Sequence, residues 1–175
     1  MSDNYLRIIP INPDFVPTEE AQIDAYRQFG CLAYGKPLPE FHLQTISDKD
    51  GELVRAGHRD WCLLMRVFDQ PHFIDNGCNL ERVSCPLCGA LLTFEFWHEE
   101  LDKASNHHFT HFTDLRCTLA CCGASVSLND LDYEWPVGFA RFELEALEGR
   151  RLVSEEISQL EQIIGCSLRQ IMARY

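Results

Sequence analysis

Residues 84–90 read SCPLCGA, and residues 115–124 read LRCTLACCGA. The first stretch is half of a tetrahedral metal site on chemical grounds. Two thiolates spaced C-x2-C face one ion across a tight turn. Pro86 sets one backbone torsion there, and Gly89 lets the chain curl so that amide N–H groups point at sulfur. A redox C-x-x-C would sit at the mouth of a βαβ unit. Cys85 and Cys88 lie instead between short strand-like runs, with a second cysteine cluster downstream. The expectation is one structural zinc ion bound by sulfur alone, with iron as the rival metal for four thiolates.

The second stretch does not repeat the first. Three residues before Cys122 stands Leu119, and three before Cys121 stands Thr118, so no second C-x2-C exists. Three pairs are open: Cys121 with Cys122, Cys117 with Cys121, or Cys117 with Cys122. Cys122 precedes Gly123 as Cys88 precedes Gly89. Cys117 alternates with Leu115 and Leu119 on one face of a strand-like run, where a buried cysteine behaves as a small hydrophobe. Adjacent cysteines can both bind where the backbone turns sharply between them. The expected ligands are therefore Cys85, Cys88, Cys121 and Cys122.

The wider text CPLCG…ACCGASVSLNDLDYEWPVGFARF resembles a family of uncharacterised bacterial proteins. That family has a CPxCG knuckle, a PCCG-type second knuckle and a following SLNDL-x-Y-x-WP segment. The resemblance covers roughly residues 73–147 and implies that the adjacent Cys121–Cys122 pair is the recurring one. Ala120 stands where the family pattern has proline, which leaves that knuckle less fixed. The family brings no established activity.

Two neighbouring stretches bear on the site. NHHFTH places His107, His108 and His111 close together, but Asn, Thr and aromatic neighbours read as a loop between knuckles. Replacement of one cysteine by His111 is a lesser alternative. In SLNDLDYEWP, Ser127 and Asp130 have capping-box-like spacing and Pro136 would stop any short helix. Tyr133 and Trp135 are expected to brace the metal module against its host rather than form a recognition patch.

Outside the metal segment the periodicities indicate an α+β fold with a mainly antiparallel sheet and two helices. YLRIIPI is a candidate first strand, and FARFELEAL alternates Ala140, Phe142, Leu144 and Ala146 against Arg141, Glu143 and Glu145, the pattern of a half-buried strand. SLRQIMARY is a candidate closing strand. The segments 16–31 and 153–166 form a weak repeat. Each has a hydroxyl residue at an expected helix N-cap (Thr18, Ser154), two glutamates after it, and a glycine at the expected end (Gly30, Gly165). Asp-Lys-Asp-Gly at 48–51 is a turn between two candidate strands, WCLLMRVFD fits a buried strand with a helix segment as the alternative, and Asn76-Gly77 is a hairpin signal. The expected organisation is a discontinuous body, residues 1–81 and 130–175, possessing a β-α-β-β-α-β, ferredoxin-like candidate topology, with a zinc-ribbon-like insertion at 82–129.

Charge and composition narrow the function. The 175 residues carry a formal charge of −12, which four thiolates and a zinc ion would move to about −14. Such a field repels phosphate backbones and anionic lipids, and no Lys or Arg run is denser than Arg150-Arg151. Nucleic-acid and membrane partners are disfavoured, and a partner with a basic surface is favoured. The N-terminus lacks the pattern of a signal peptide, and nine cysteines, an odd number, suit a reducing cytoplasm better than a disulfide framework. No nucleophile elbow, P-loop or dinucleotide fingerprint is present. Two classes of function remain. One is a non-catalytic interaction protein whose zinc is structural. The other is an enzyme whose site lies in the α+β body, with zinc as a remote scaffold.

Overall fold

The structure is a computed structural model that describes residues 3–37, 44–47, 53–56, 63–105 and 111–175. Its centre is a six-stranded, wholly antiparallel sheet of β1 (Asn4–Pro10), β2 (Gln44–Ser47), β3 (Leu53–Ala56), β4 (Leu63–Ile74), β9 (Gly138–Leu147) and β10 (Leu168–Arg174). The strand order is β10-β1-β9-β4-β3-β2. Helices α1 (Glu19–Tyr34) and α3 (Ser154–Ile164) pack on one face of this sheet and against each other. Alternation explains the core between them. Leu6 and Ile8 of β1, Leu63 and Met65 of β4, and Phe142, Leu144 and Ala146 of β9 meet Tyr26, Phe29, Leu160 and Ile164 of the helices.

The expected α+β class and antiparallel sheet are present, but the described residues hold three α-helices rather than two. The additional one, α2 (Phe94–Ala104), lies in the metal segment and starts at Thr93, whose hydroxyl accepts the Phe96 N–H at 3.2 Å. Trp97, Leu101 and Ala104 line its buried face. The repeat helices also differ from expectation at their ends. Thr18 caps α1 as expected, accepting from Ala21 N, but the helix runs through a buried Gly30 to a left-handed Gly35 at φ 65°. Helix α3 is capped one residue before Ser154, where Glu156 accepts the Val153 N–H at 3.0 Å, and it ends at Gly165 as expected.

Asn76-Gly77 does not make a hairpin. It folds against the C-terminal strand, with Cys78 N donating to Arg174 O at 2.8 Å and Arg174 N to Asn76 O at 3.2 Å. Gly77 has φ 63°, and a Cβ there would run into the Arg174 carbonyl, so glycine is required by both torsion and space. The Asp-Lys-Asp-Gly turn lies outside the described residues, although β2 and β3 on either side of it do pair.

A second core belongs to the segment between β4 and β9. Two small ladders build it: β5 (Val83–Ser84) with β8 (Asp132–Tyr133), and β6 (Arg116–Thr118) with β7 (Ser125–Ser127). Val83, Trp97, Leu101, Phe112, Leu119, Leu128 and Leu131 pack together and join the sheet at Phe139 and Phe73. Asn129, 3% exposed, ties the two parts. Its Nδ2 donates to Ile11 O at 2.8 Å, and its Oδ1 accepts from Phe139 N and Arg169 Nη1.

Candidate metal centre

Each knuckle is a six-residue loop closed by the same pair of backbone hydrogen bonds. In the first, Cys85 N donates to Ala90 O at 2.9 Å and Gly89 N to Cys85 O at 3.0 Å. In the second, Leu119 N donates to Ala124 O at 2.9 Å and Gly123 N to Leu119 O at 2.7 Å. Gly89 and Gly123 both have φ 71°, a left-handed torsion that a side chain would strain. Matched by these bonds and torsions, Leu119 takes the place that Cys85 has in the first loop, and Cys122 the place of Cys88. Cys121 stands where the first loop has Leu87.

That equivalence explains the missing C-x2-C. The leading position of each loop points inward, and Leu119 there is fully buried in the second core. The third position points outward, as the 68% exposure of Leu87 shows. A cysteine at the third position supplies a sulfur from the outer side of the loop, and two adjacent cysteines then bracket one point.

The four expected sulfurs converge. Cys85, Cys88, Cys121 and Cys122 place their Sγ atoms within 4.8 Å of one another. Cys85 Sγ is 3.8 Å from Cys122 Sγ, and Cys88 Sγ is 3.6 Å from Cys121 Sγ. A tetrahedral ion with metal–sulfur bonds of about 2.3 Å spaces its sulfurs about 3.8 Å apart, so the donor set fits zinc. The cysteines are free thiols rather than disulfides. Cys85 is buried and the other three are exposed, which puts the centre at the surface.

Local hydrogen bonds differentiate the sulfurs. Leu87 N and Cys88 N each donate to Cys85 Sγ at 3.4 Å. Desolvation raises the Cys85 thiol, but those N–H groups and the neighbouring sulfurs outweigh it and bring the pKa down to about 7. Cys121 is pushed up to about 12, by desolvation first and then by hydrogen bonds with the surrounding sulfurs. Cys117 is not part of the cluster. It is 3% exposed in the second core, and burial raises its thiol to about 11.

His107 and His108 lie outside the described residues. The His111 ring is against that of His72, centroids 5.1 Å apart, and is not among the sulfurs. Ser127 accepts from Asn129 N at 3.1 Å at the head of a 3-10 turn, Leu128–Asp130, which ends well before Pro136. Tyr133 braces the module: its hydroxyl donates to Leu128 O at 2.8 Å and accepts from Trp97 Nε1 at 3.2 Å. Trp135 is 39% exposed.

Sequence alternation misassigned one face of β9. Glu143 and Glu145 are 2% and 3% exposed rather than solvated. Arg66 on β4 gives Nη1 to Glu143 Oε2 at 2.9 Å and Nη2 to Glu145 Oε1 at 3.0 Å, and Arg7 on β1 gives Nε to Glu145 Oε2 at 2.8 Å. Burial acts to lower the pKa of both arginines, but the two carboxylates outweigh it and hold the guanidinium groups above their ordinary value.

Compared with family models, curated proteins and solved structures, the chain matches none. Among the described residues, no helix is long and apolar enough to cross a membrane.

Proposed function

We propose that this is a zinc-binding, non-catalytic protein that acts through protein–protein contact, with one Zn²⁺ held structurally by Cys85, Cys88, Cys121 and Cys122. The observation that carries this reading is the convergence of those four sulfurs within 4.8 Å. Four thiolates close a tetrahedron and leave no position for water or substrate. The metal then fixes the second core, as zinc does in small modules with apparent binding energies of roughly 10–16 kcal/mol.

The contact surface lies at the first knuckle. Leu87 and Leu91 are each 68% exposed, and Phe94 is 42% exposed on the adjoining turn of α2. Apolar side chains displayed by a rigid loop suit recognition, and the charge of −12 favours a partner with a basic rim. The strand order β10-β1-β9-β4 with α1 and α3 on one face supports a ferredoxin-like reading of the body, 1–81 and 130–175, with β3 and β2 added at one edge. The two knuckle loops support a zinc-ribbon-like reading of the insertion, 82–129. Free thiols in number favour a reducing compartment such as the cytoplasm.

The test is retention of partners from a lysate on zinc-loaded protein, with and without Leu87→Asp and Leu91→Asp. A basic protein retained at low salt, released by salt and lost with both substitutions supports the reading. Equal retention by the substituted protein would count against the knuckle surface.

A further inference from the structure

The four-sulfur centre is unevenly shielded. In the first loop Leu87 N and Cys88 N both donate to Cys85 Sγ at 3.4 Å, so the buried leading sulfur shares its charge with two N–H groups. The equivalent amides of the second loop are Cys121 N and Cys122 N, and the leading residue there is Leu119, whose side chain accepts no hydrogen bond. Among the described residues, no N–H donates to the sulfur of Cys88, Cys121 or Cys122, whose contacts are with other sulfurs of the cluster. All three are exposed. A thiolate reacts faster the more charge it keeps and the more accessible it is, and N–H donors to a metal-bound sulfur draw that charge away. Moving a ligand from the leading to the third position therefore strips one knuckle of its shielding and turns its sulfurs to solvent.

We propose that the centre is a peroxide-sensitive switch in which Cys88 and Cys121 are oxidised first, releasing the metal and reshaping the knuckle surface. This regulation rests on the zinc reading given above. Geometry selects the pair. Cys88 Sγ and Cys121 Sγ are 3.6 Å apart and both exposed, whereas the other close pair, Cys85 and Cys122 at 3.8 Å, includes the buried and shielded sulfur. With hydrogen peroxide as the oxidant, one thiolate attacks a peroxide oxygen, the O–O bond breaks and hydroxide leaves, giving a sulfenic acid. The second thiolate attacks that sulfur, the S–S bond forms and a second hydroxide leaves. Two protons from solvent turn both hydroxides into water, and two electrons have passed from sulfur to peroxide. The metal then keeps only Cys85 and Cys122, two ligands where a closed site needs four. Closing the sulfurs from 3.6 Å to the roughly 2.0 Å of a disulfide also moves the loop that displays Leu87.

The test treats the zinc-loaded full chain with hydrogen peroxide, following zinc with a chromogenic chelator and disulfides by peptide mass spectrometry. Expected are release of the bound zinc, a Cys88–Cys121 link as the first disulfide, and recovery of the metal site on adding a thiol reductant and zinc. Leu119→Cys with Cys121→Leu gives the second loop a leading sulfur for its N–H groups, and release from it is expected to be about tenfold slower or more. Zinc retained after the exposed thiols have reacted, a first product other than the Cys88–Cys121 disulfide, or equally fast release from the rewritten loop would overturn the proposal. Release and mapping in the unsubstituted chain decide the matter even where the rewritten loop fails to hold zinc. A chain that takes up no zinc before peroxide is added contradicts the zinc reading itself, and the switch with it, so the two failures are told apart.

Discussion

Cys121 and Cys117 stand four residues apart with opposite roles, and single substitutions separate them. Cys121→Ser and Cys122→Ser are each expected to loosen the metal by orders of magnitude in a chelator competition. Cys117→Ser is expected to keep it and to cost about 1–3 kcal/mol by placing a hydroxyl in the second core, read as a lowered thermal midpoint. Protonation gives a second handle. A thiol held at about 7, as Cys85 is, contributes stability that is present above the unfolded thiol value of roughly 8.5 and is lost as pH falls through about 7. Cys121, at about 12, must lose a proton to bind. Apparent zinc affinity is therefore expected to fall on acidification, by about tenfold per pH unit for each protonated thiol, in competition titrations at pH 8 and 6. The face of β9 shows where residue-level reading stopped. Alternation located the strand, but a solvated face and an ion-paired face have the same pattern, and the partners Arg7 and Arg66 are 138 and 79 residues from Glu145. Asn129 carries no local signal for the same reason, since its partners Ile11 and Arg169 are remote in sequence.

Knuckle and helix are the next scale up. If the two loops are equivalent position by position, the fourth sulfur can be moved within the second loop. Leu119→Cys combined with Cys121→Leu rewrites it as C-x2-C, and is expected to restore much of the zinc binding that Cys121→Ser loses, measured by the same chelator competition. Loss as complete as in the single substitution would show that the inner position cannot reach the ion. Helix α2 escaped the sequence reading because FEFW is dense in aromatics and suits either period over four residues. The signals were Thr93 ahead of it and Phe94, Trp97, Leu101 and Ala104 along one stripe. Thr93→Ala is expected to cost about 1 kcal/mol in urea unfolding. Glycine misled in α1, where tertiary burial carries the helix past Gly30 to Gly35. It informed correctly at Gly165, where the apolar stripe had already ended.

Over the whole molecule, the sheet with its two helices has its own core, and the metal segment has another joined to it through Phe73, Phe139 and the Asn129–Arg169 network. Removing zinc is therefore expected to expose amides of α2 and of the β5–β8 and β6–β7 ladders to hydrogen exchange, while β1, β9 and β10 stay protected. The antiparallel α+β class was legible because strand and helix periods are local properties. The order β10-β1-β9-β4-β3-β2 was not, because pairing joins residues more than a hundred positions apart, such as Leu6 with Met172. The central claim is a single ion held by four thiolates. Metal analysis with zinc K-edge X-ray absorption on protein purified without added metal tests it most directly. The expected result is close to one zinc per chain with four sulfur neighbours at about 2.3 Å. A nitrogen or oxygen neighbour in the first shell, or an ordered second core in protein holding no metal, would contradict it.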